Sequence, residues 1–271
     1  MKVRRFGTVT IGLVGFSVLL LAPMDARAVP EFSVLASAST VAGGTSDSQN
    51  TGVLVNTPSA SVSALSSSAS EIAMSSAFAS PGTLGAFATG SSGSASLGGA
   101  TAHATAAFTD VLTLSGPATL GFSLDVGGFL DACSACPAQG QVSASFSVSG
   151  SGSFVNNVSS VGYERHFLGG IGDVTPIPLL PIIVLTTTMA EEISLSGNIS
   201  VFIGVDGVGS FATADYSSTA KFFADVLTPG ATYVSASGVN YASTVPEPST
   251  LGLALLGLSA LWWVVRIKSS A

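Results

Sequence analysis

The sequence predicts an all-β protein, an antiparallel β-sandwich with jelly-roll-like connections, and three observations carry the prediction. Over several stretches apolar residues alternate with Ser, Thr and Gly at a period of two, the spacing that gives a strand one buried face. Glycine-rich or proline-rich clusters separate those stretches. No convincing amphipathic helix competes with them between residues 29 and 241.

The strands are clearest from 108 to 241. Leu120, Phe122, Leu124 and Val126 alternate with Thr119, Gly121, Ser123 and Asp125, and Val142, Ala144, Phe146 and Val148 alternate with Ser143, Ser145 and Ser147. The pattern recurs in Ile193 and Leu195, continues through Ile199, Val201, Ile203 and Val205, and returns in Tyr216, Ala220 and Phe222. Breaks fall at Gly127-Gly128, Gly150 to Gly152, Gly169 to Pro181, Asp206-Gly207 and Pro229-Gly230. The stretch from Thr175 to Pro181, with three prolines, reads as a rigid extended connection between two sheet halves. Val184 to Thr188 reads as an edge strand entering the second half.

Residues 29–107 are a low-complexity part built from Ser, Ala, Gly and Thr. The triplet Ser-Ala-Ser recurs there at 37–39, 59–61, 68–70 and 94–96, and again at 143–145 and 235–237, so it marks strand composition rather than a repeat unit. This part is expected to add strands to the same domain. A short helix around Glu71, Ile72 and Met74, within Ser61 to Phe78, is the alternative, because alanine permits it.

Both ends read as targeting segments. Lys2, Arg4 and Arg5 precede an apolar run from Phe6 to Ala22, and Ala26-Arg27-Ala28 follows Pro23 as an A-x-A cleavage site. Residues 1–28 are therefore expected to be a signal peptide, with the mature chain starting at Val29. At the other end, residues 242–271 hold a short polar stalk, Val245-Pro246-Glu247-Pro248, an apolar run from Leu251 to Val265, and then Arg266 and Lys268. One transmembrane helix is predicted at about 250–267, near the lower limit for crossing a bilayer. Basic residues flank the apolar runs at the outer ends of the chain, so the positive-inside rule puts both ends in the cytoplasm and the body outside.

This three-part ending, Pro246-Glu247-Pro248 followed by the apolar run and the basic Arg266 and Lys268, resembles the PEP-CTERM sorting signal of Gram-negative bacteria that make extracellular polysaccharide. The family's tail is often richer in arginine, and the resemblance covers about a tenth of the chain. It implies recognition by exosortase, a transpeptidase-like integral membrane enzyme, with Val245, Pro246, Glu247 and Pro248 as the recognition and cleavage region. By the same resemblance Arg266 and Lys268 act as the membrane stop. The inner membrane is then a transient anchor, the cell surface or extracellular matrix the destination, and extracellular polysaccharide a partner.

Charge narrows the function further. Thirteen acids, all but Asp25 and Glu247, stand in the body against two bases, Arg165 and Lys221, leaving about −11. No Lys or Arg occurs between Arg27 and Arg165. Such a surface cannot neutralise a run of phosphates, which excludes nucleic acid as a partner. Binding to an anionic membrane face is disfavoured on the same ground.

No constellation for catalysis stands out, and the chain reads as a non-enzymatic protein without a cofactor. Cys133 and Cys136, in an exported chain, are expected to form a disulfide that pins a turn. Ser218-Thr219-Ala220-Lys221 matches S-x-x-K, but that chemistry needs a helix, and this stretch alternates as a strand. His103 lies in an Ala/Thr-rich strand, and His166 lies in Tyr163-Glu164-Arg165-His166-Phe167, where Glu164 and Arg165 are expected to shape a loop. Neither histidine comes with a G-x-S-x-G elbow. Glu191-Glu192, as neighbours in extended chain, point to opposite faces and suit glycoside hydrolysis poorly. The weak calcium candidates are Asp125, Asp131, Asp173 and Asp206, each beside a glycine-rich turn. Tyr163, Tyr216, Tyr233 and Tyr241 are the candidate sugar-stacking platforms, since Trp262 and Trp263 fall in the apolar terminal run. A carbohydrate-binding module or adhesin using a sandwich face is thus the alternative to a purely structural surface protein, and a secreted hydrolase comes third.

Overall fold

A computed structural model describes residues 31–68, 70–93, 99–133, 136–155, 157–168 and 183–243. In chain order its strands begin with β1 (Ser33–Ala42), β2 (Thr45–Asn50), β3 (Leu54–Val55), β4 (Ala60–Ser67), β5 (Glu71–Ser80), β6 (Thr83–Ser92), β7 (Ala100–Leu114) and β8 (Thr119–Val126). They continue with β9 (Phe129–Ala132), β10 (Ala138–Ser149), β11 (Ser153–Phe154), β12 (Ser160–Leu168), β13 (Ile183–Thr186), β14 (Glu192–Val205), β15 (Ser210–Val226) and β16 (Tyr233–Ser235). There is no helix among the described residues. The expected signal peptide, the expected 175–181 connection and the terminal apolar run lie outside them.

Two antiparallel sheets pack face to face, so the chain is an all-β sandwich. The first sheet has the order β12-β10-β14-β7-β1-β2, with β3 also on β1 and β16 on β7. The second has the order β11-β13-β8-β15-β6-β5-β4, with β9 also on β15. From β6 onward every connection except β8 to β9 changes sheet. The β4-β5-β6 meander departs from that pattern.

Three local expectations are corrected by the pairing. Ser61 to Phe78 is not helical: β4 and β5 form a hairpin in which Leu65 faces Met74 and Val62 faces Ala77. Glu71 is buried while Ile72 and Met74 are exposed on the other face, and strand partners on both sides of β5 outweigh alanine's weak helical preference. The predicted edge strand at 184–188 is β13, which lies inside the sheet between β8 and the two-residue β11. The predicted loop at Tyr163–Phe167 is part of β12, paired along its length with β10.

The core has two textures. Between β1 and β7 on one side and β5 and β6 on the other it is made of alanine: Ala36 and Ala104 share one buried cluster with Ala73, Ala77 and Ala86, all at most 3% exposed. Small side chains bring the sheets together there. Cα atoms of β1 and β5, and of β6 and β7, approach within 8 Å, closer than the ~10 Å usual between packed sheets. Ser75 of β5 donates its hydroxyl to the Ser39 carbonyl of β1 at 3.2 Å, and Ser66 of β4 to the Thr40 carbonyl at 3.1 Å. Further along β7 the core is aromatic. Phe108 and Phe222 meet edge to face with centroids 4.8 Å apart, and Phe146 stands 5.1 Å from Phe222. Gly197 makes room for these rings, since a Cβ there would lie within 2.3 Å of Phe108.

Two irregularities fix the alignment. A bulge in β15 between Tyr216 and Ala220 shifts its register on β6, and it forces glycine at position 85, where a Cβ would fall 1.9 Å from the Ser217 carbonyl oxygen. The Cys133–Cys136 disulfide, Cα atoms 5.7 Å apart, closes the turn where the chain leaves β9 for β10 in the other sheet. That turn is tied to β15 by reciprocal contacts: Cys133 N donates to Phe211 O at 3.2 Å, and Phe211 N to Cys133 Sγ at 3.2 Å.

Candidate functional site

Register across the first sheet assembles a flat outer face that no single segment reveals. His166, Gln141, Phe202, His103, Ser39 and Ser48 form one row, each the Cα partner of the next across β12, β10, β14, β7, β1 and β2. The adjacent row is Glu164, Ser143, Ser200, Thr105, Ser37 and Asn50. Strands ~4.8 Å apart and residues ~6.8 Å apart along each strand make this a regular grid of hydroxyl and amide groups. The only large apolar group in the first row is Phe202, half-buried beside the half-buried His103. The face carries no Lys or Arg among the described residues: Arg165 lies on the inward row of β12 with Tyr163 and Phe167, and Lys221 belongs to the second sheet.

At the centre of the grid His103 Nε2 lies 3.0 Å from Ser200 Oγ and 3.3 Å from Thr105 Oγ1. Burial pushes the imidazole pKa down, which favours the neutral ring at physiological pH. A serine within hydrogen-bond reach of a neutral histidine is half of a nucleophile–base pair. The other half is missing: His103 has no acidic partner among the described residues, and the surrounding backbone amides are engaged in the ladder, leaving no oxyanion donors. The face thus presents hydrogen-bonding groups around one half-buried aromatic ring, Phe202.

The other predicted site residues are dispersed. Asp125 faces Lys221 from β8, Asp131 faces Thr213 from β9, and Asp206 sits in the turn after β14, all exposed. No three acidic, His or Cys side chains converge on a metal-sized site among the described residues. Asp173, Ala26, Ala28, Val245 to Pro248, Arg266 and Lys268 lie outside those residues. Three of the four tyrosines are corrected as stacking groups: Tyr163, Tyr216 and Tyr241 are at most 4% exposed, Tyr163 and Tyr216 pair their hydroxyls at 3.4 Å inside the sandwich, and Tyr233 is half-buried. S-x-x-K lies within β15, so the helical spacing its chemistry requires is absent. Glu191 precedes β14, with its Oε2 accepting from the Ser151 hydroxyl, while Glu192 begins the strand and is exposed.

One residue the sequence did not flag organises the C-terminal exit. Asp110, on the inward row of β7 and 1% exposed, accepts the Tyr241 hydroxyl at 2.6 Å, the Ser237 hydroxyl at 2.5 Å, and the amides of Val111 at 2.8 Å and Ser237 at 3.2 Å. Four donors satisfy the buried carboxylate. Burial, followed by the hydrogen bond to Asp110, pushes the Tyr241 phenol up. Tyr241 O accepts from Ala224 N at 2.8 Å, and Ser243 N donates to Asp225 Oδ1 at 2.8 Å. The chain is thereby held against β15 to its last described residue.

No family model, no curated protein and no solved structure matches this chain.

Proposed function

We propose that the chain is an exported, non-enzymatic protein of the cell surface or extracellular matrix, sorted by its PEP-CTERM-type ending and displaying the sandwich as its functional body. The observation that carries the reading is the ending itself: the Pro246-Glu247-Pro248 motif, the apolar run and the basic tail in order, matched by a signal-peptide pattern at the other end. The sandwich supports it in one respect. Asp110 and Asp225 fix the chain as far as Ser243, so only Thr244 and Val245 separate a folded body from the motif. An exosortase-type enzyme is the partner for processing, and the inner membrane is a transient anchor. The test is the intact mass and fractionation of the native protein beside a deletion of residues 245–271 and a Glu247→Ala variant. The expected mature form ends near Pro246 and lies outside the inner membrane, and both changes abolish it. A full-length form in the inner membrane would reduce the ending to a plain anchor.

A second reading, a carbohydrate-binding surface, is favoured by the grid around Phe202 and His103. A face rich in hydroxyls and amides, without a cation and with Glu164 at its margin, suits hydrogen bonding to sugars, with Phe202 for stacking. Retention on immobilised exopolysaccharide, weakened at least several-fold by Phe202→Ala, would support it. Equal retention of both forms would remove the face from the interaction.

A further inference from the structure

Each sheet ends in exposed edges, and three of the four carry a device that discourages pairing. β11 is two residues long. β12 carries Glu164, Arg165 and His166, and β2 is polar throughout with Asp47 in its middle. Short edges and charged edges are how sheets avoid joining. β4 has neither: its eight residues, Ala60 to Ser67, contain no charge and no proline.

The hydrogen bond from Ser68 N to Glu71 O sets the phase of the β4–β5 ladder. It turns the amides and carbonyls of Ser61, Ser63, Leu65 and Ser67 away from β5. The C-terminal half of this edge is covered: Asp47 Oδ2 accepts from Leu65 N at 3.1 Å, and the Thr45 hydroxyl donates to Ser67 O at 3.2 Å. The backbone groups of Ser61 and Ser63 meet no partner among the described residues. Beside them the outer face of β4 and β5 is uncharged, with Leu65 55%, Ile72 46%, Met74 44% and Phe78 37% exposed among serines.

We propose that β4 is the contact through which two copies of this chain associate, edge to edge and antiparallel, into one continuous sheet. Charge opposes contact between copies elsewhere and leaves this edge open to it. A body of about −11 repels its own copies, and the outer strip of β4 and β5 is a surface where two copies meet without opposing carboxylates. The edge is also self-complementary under a two-fold axis. Placing Ser61 of one copy opposite Ser63 of the other satisfies both exposed residues in each, through about four backbone hydrogen bonds. It sets Val62 against Val62 on the axis and leaves the Asp47-capped half of each edge outside the seam. Ser61 and Ser63 of both copies then line the outer face of the joint, with Phe78 of each copy flanking it from β5. The inference is independent of how the protein is sorted.

The experiment is sedimentation velocity of the full chain in mild detergent over a concentration series, with Ser63→Pro and Ser63→Lys variants. Proline deletes an amide that the β4–β5 ladder does not use, and lysine places a charge on an exposed edge position. A particle of two copies is expected for the native chain and of one copy for both variants, with far-ultraviolet circular dichroism and thermal midpoint unchanged. If Ser63→Pro fails to fold, Ser63→Lys decides. A single copy at every concentration, or a dimer that survives Ser63→Lys, overturns the proposal. Val62→Cys should cross-link the dimer under oxidising conditions, and a dimer that forms no such disulfide overturns the antiparallel register.

Discussion

The alanine-lined and ring-lined regions of one sandwich use the same strands to opposite ends. β7 passes through both: Ala100, Ala102, Ala104 and Ala106 point inward over its first half, and Phe108, Asp110, Leu112 and Leu114 over its second. In the first half the sheets approach until serine hydroxyls of one reach backbone carbonyls of the other. Little apolar area is buried per residue, and cohesion comes from close backbone contact and inter-sheet hydrogen bonds. In the second half the rings of Phe108, Phe146 and Phe222 fill the space and bury most area per residue. Side-chain volume thus sets sheet spacing, and the two regions should respond to substitution with opposite signs of sensitivity.

The largest effect should come from emptying the ring-lined region. Phe222→Ala removes a ring that touches both Phe108 and Phe146, and a loss of about 3–5 kcal/mol in denaturant unfolding is expected. A loss under ~1 kcal/mol would mean that the rings do not form the main anchor. Asp110→Ala comes next, at about 3 kcal/mol, because it strands the buried hydroxyls of Tyr241 and Ser237 and two amides. The same site gives an alkaline signature. The Tyr241 phenol is pushed up by burial, so its contribution is present below its unfolded value of ~10 and is lost as pH rises above that. Tyr241→Phe should flatten this alkaline decline, and an unchanged pH profile in the variant would assign the decline elsewhere.

Filling the alanine-lined region should cost less, but in the reverse sense. Ala104→Leu adds volume at a wholly buried position on β7 and is expected to lose about 1–3 kcal/mol by overpacking. A neutral or stabilising result would show that the sheets separate easily there and that their close approach is incidental. The comparison is sharpest if Ala104→Leu and Phe222→Ala are measured together, since one narrows the difference between the regions from each side.

The same contrast explains how much was legible in the sequence. β8, β10 and β14 could be read because Leu, Phe, Val and Ile alternate with Ser and Thr, a large step in hydropathy at a period of two. β1 and β4 set alanine against serine over much of their length, a small step, and β5 carries Ile72, Met74 and Phe78 outward against alanine inward; alanine suits helix as well as strand, so only pairing decides. The tyrosines were legible and misread: Tyr163 stands two residues from Val161, and Tyr216 two from Ala214, on inward rows. The row from His166 to Ser48 was not legible, because it depends on the register of six strands drawn from distant parts of the chain. Nor was the burial of Asp110, whose partners lie 127 and 131 residues away.

The smallest effect belongs to the outer skin of the alanine-lined region, where His103 stands half-buried against Ser200 and Thr105. Burial lowers its folded-state pKa below the usual histidine value. The unfolded chain therefore takes up the proton first as pH falls, and the stability this histidine contributes is present above ~6.5 and lost below it. Solvent screening at a half-exposed position keeps the slope shallow. His103→Gln keeps a hydrogen-bonding group opposite Ser200 while removing the titration, so the shallow acid-side slope near pH 6 should disappear in the variant. A slope that persists would show that His103 is not the titrating group. If the slope is abolished together with pH-dependent retention on polysaccharide, one neutral imidazole serves both the stability of the face and its hydrogen bonding.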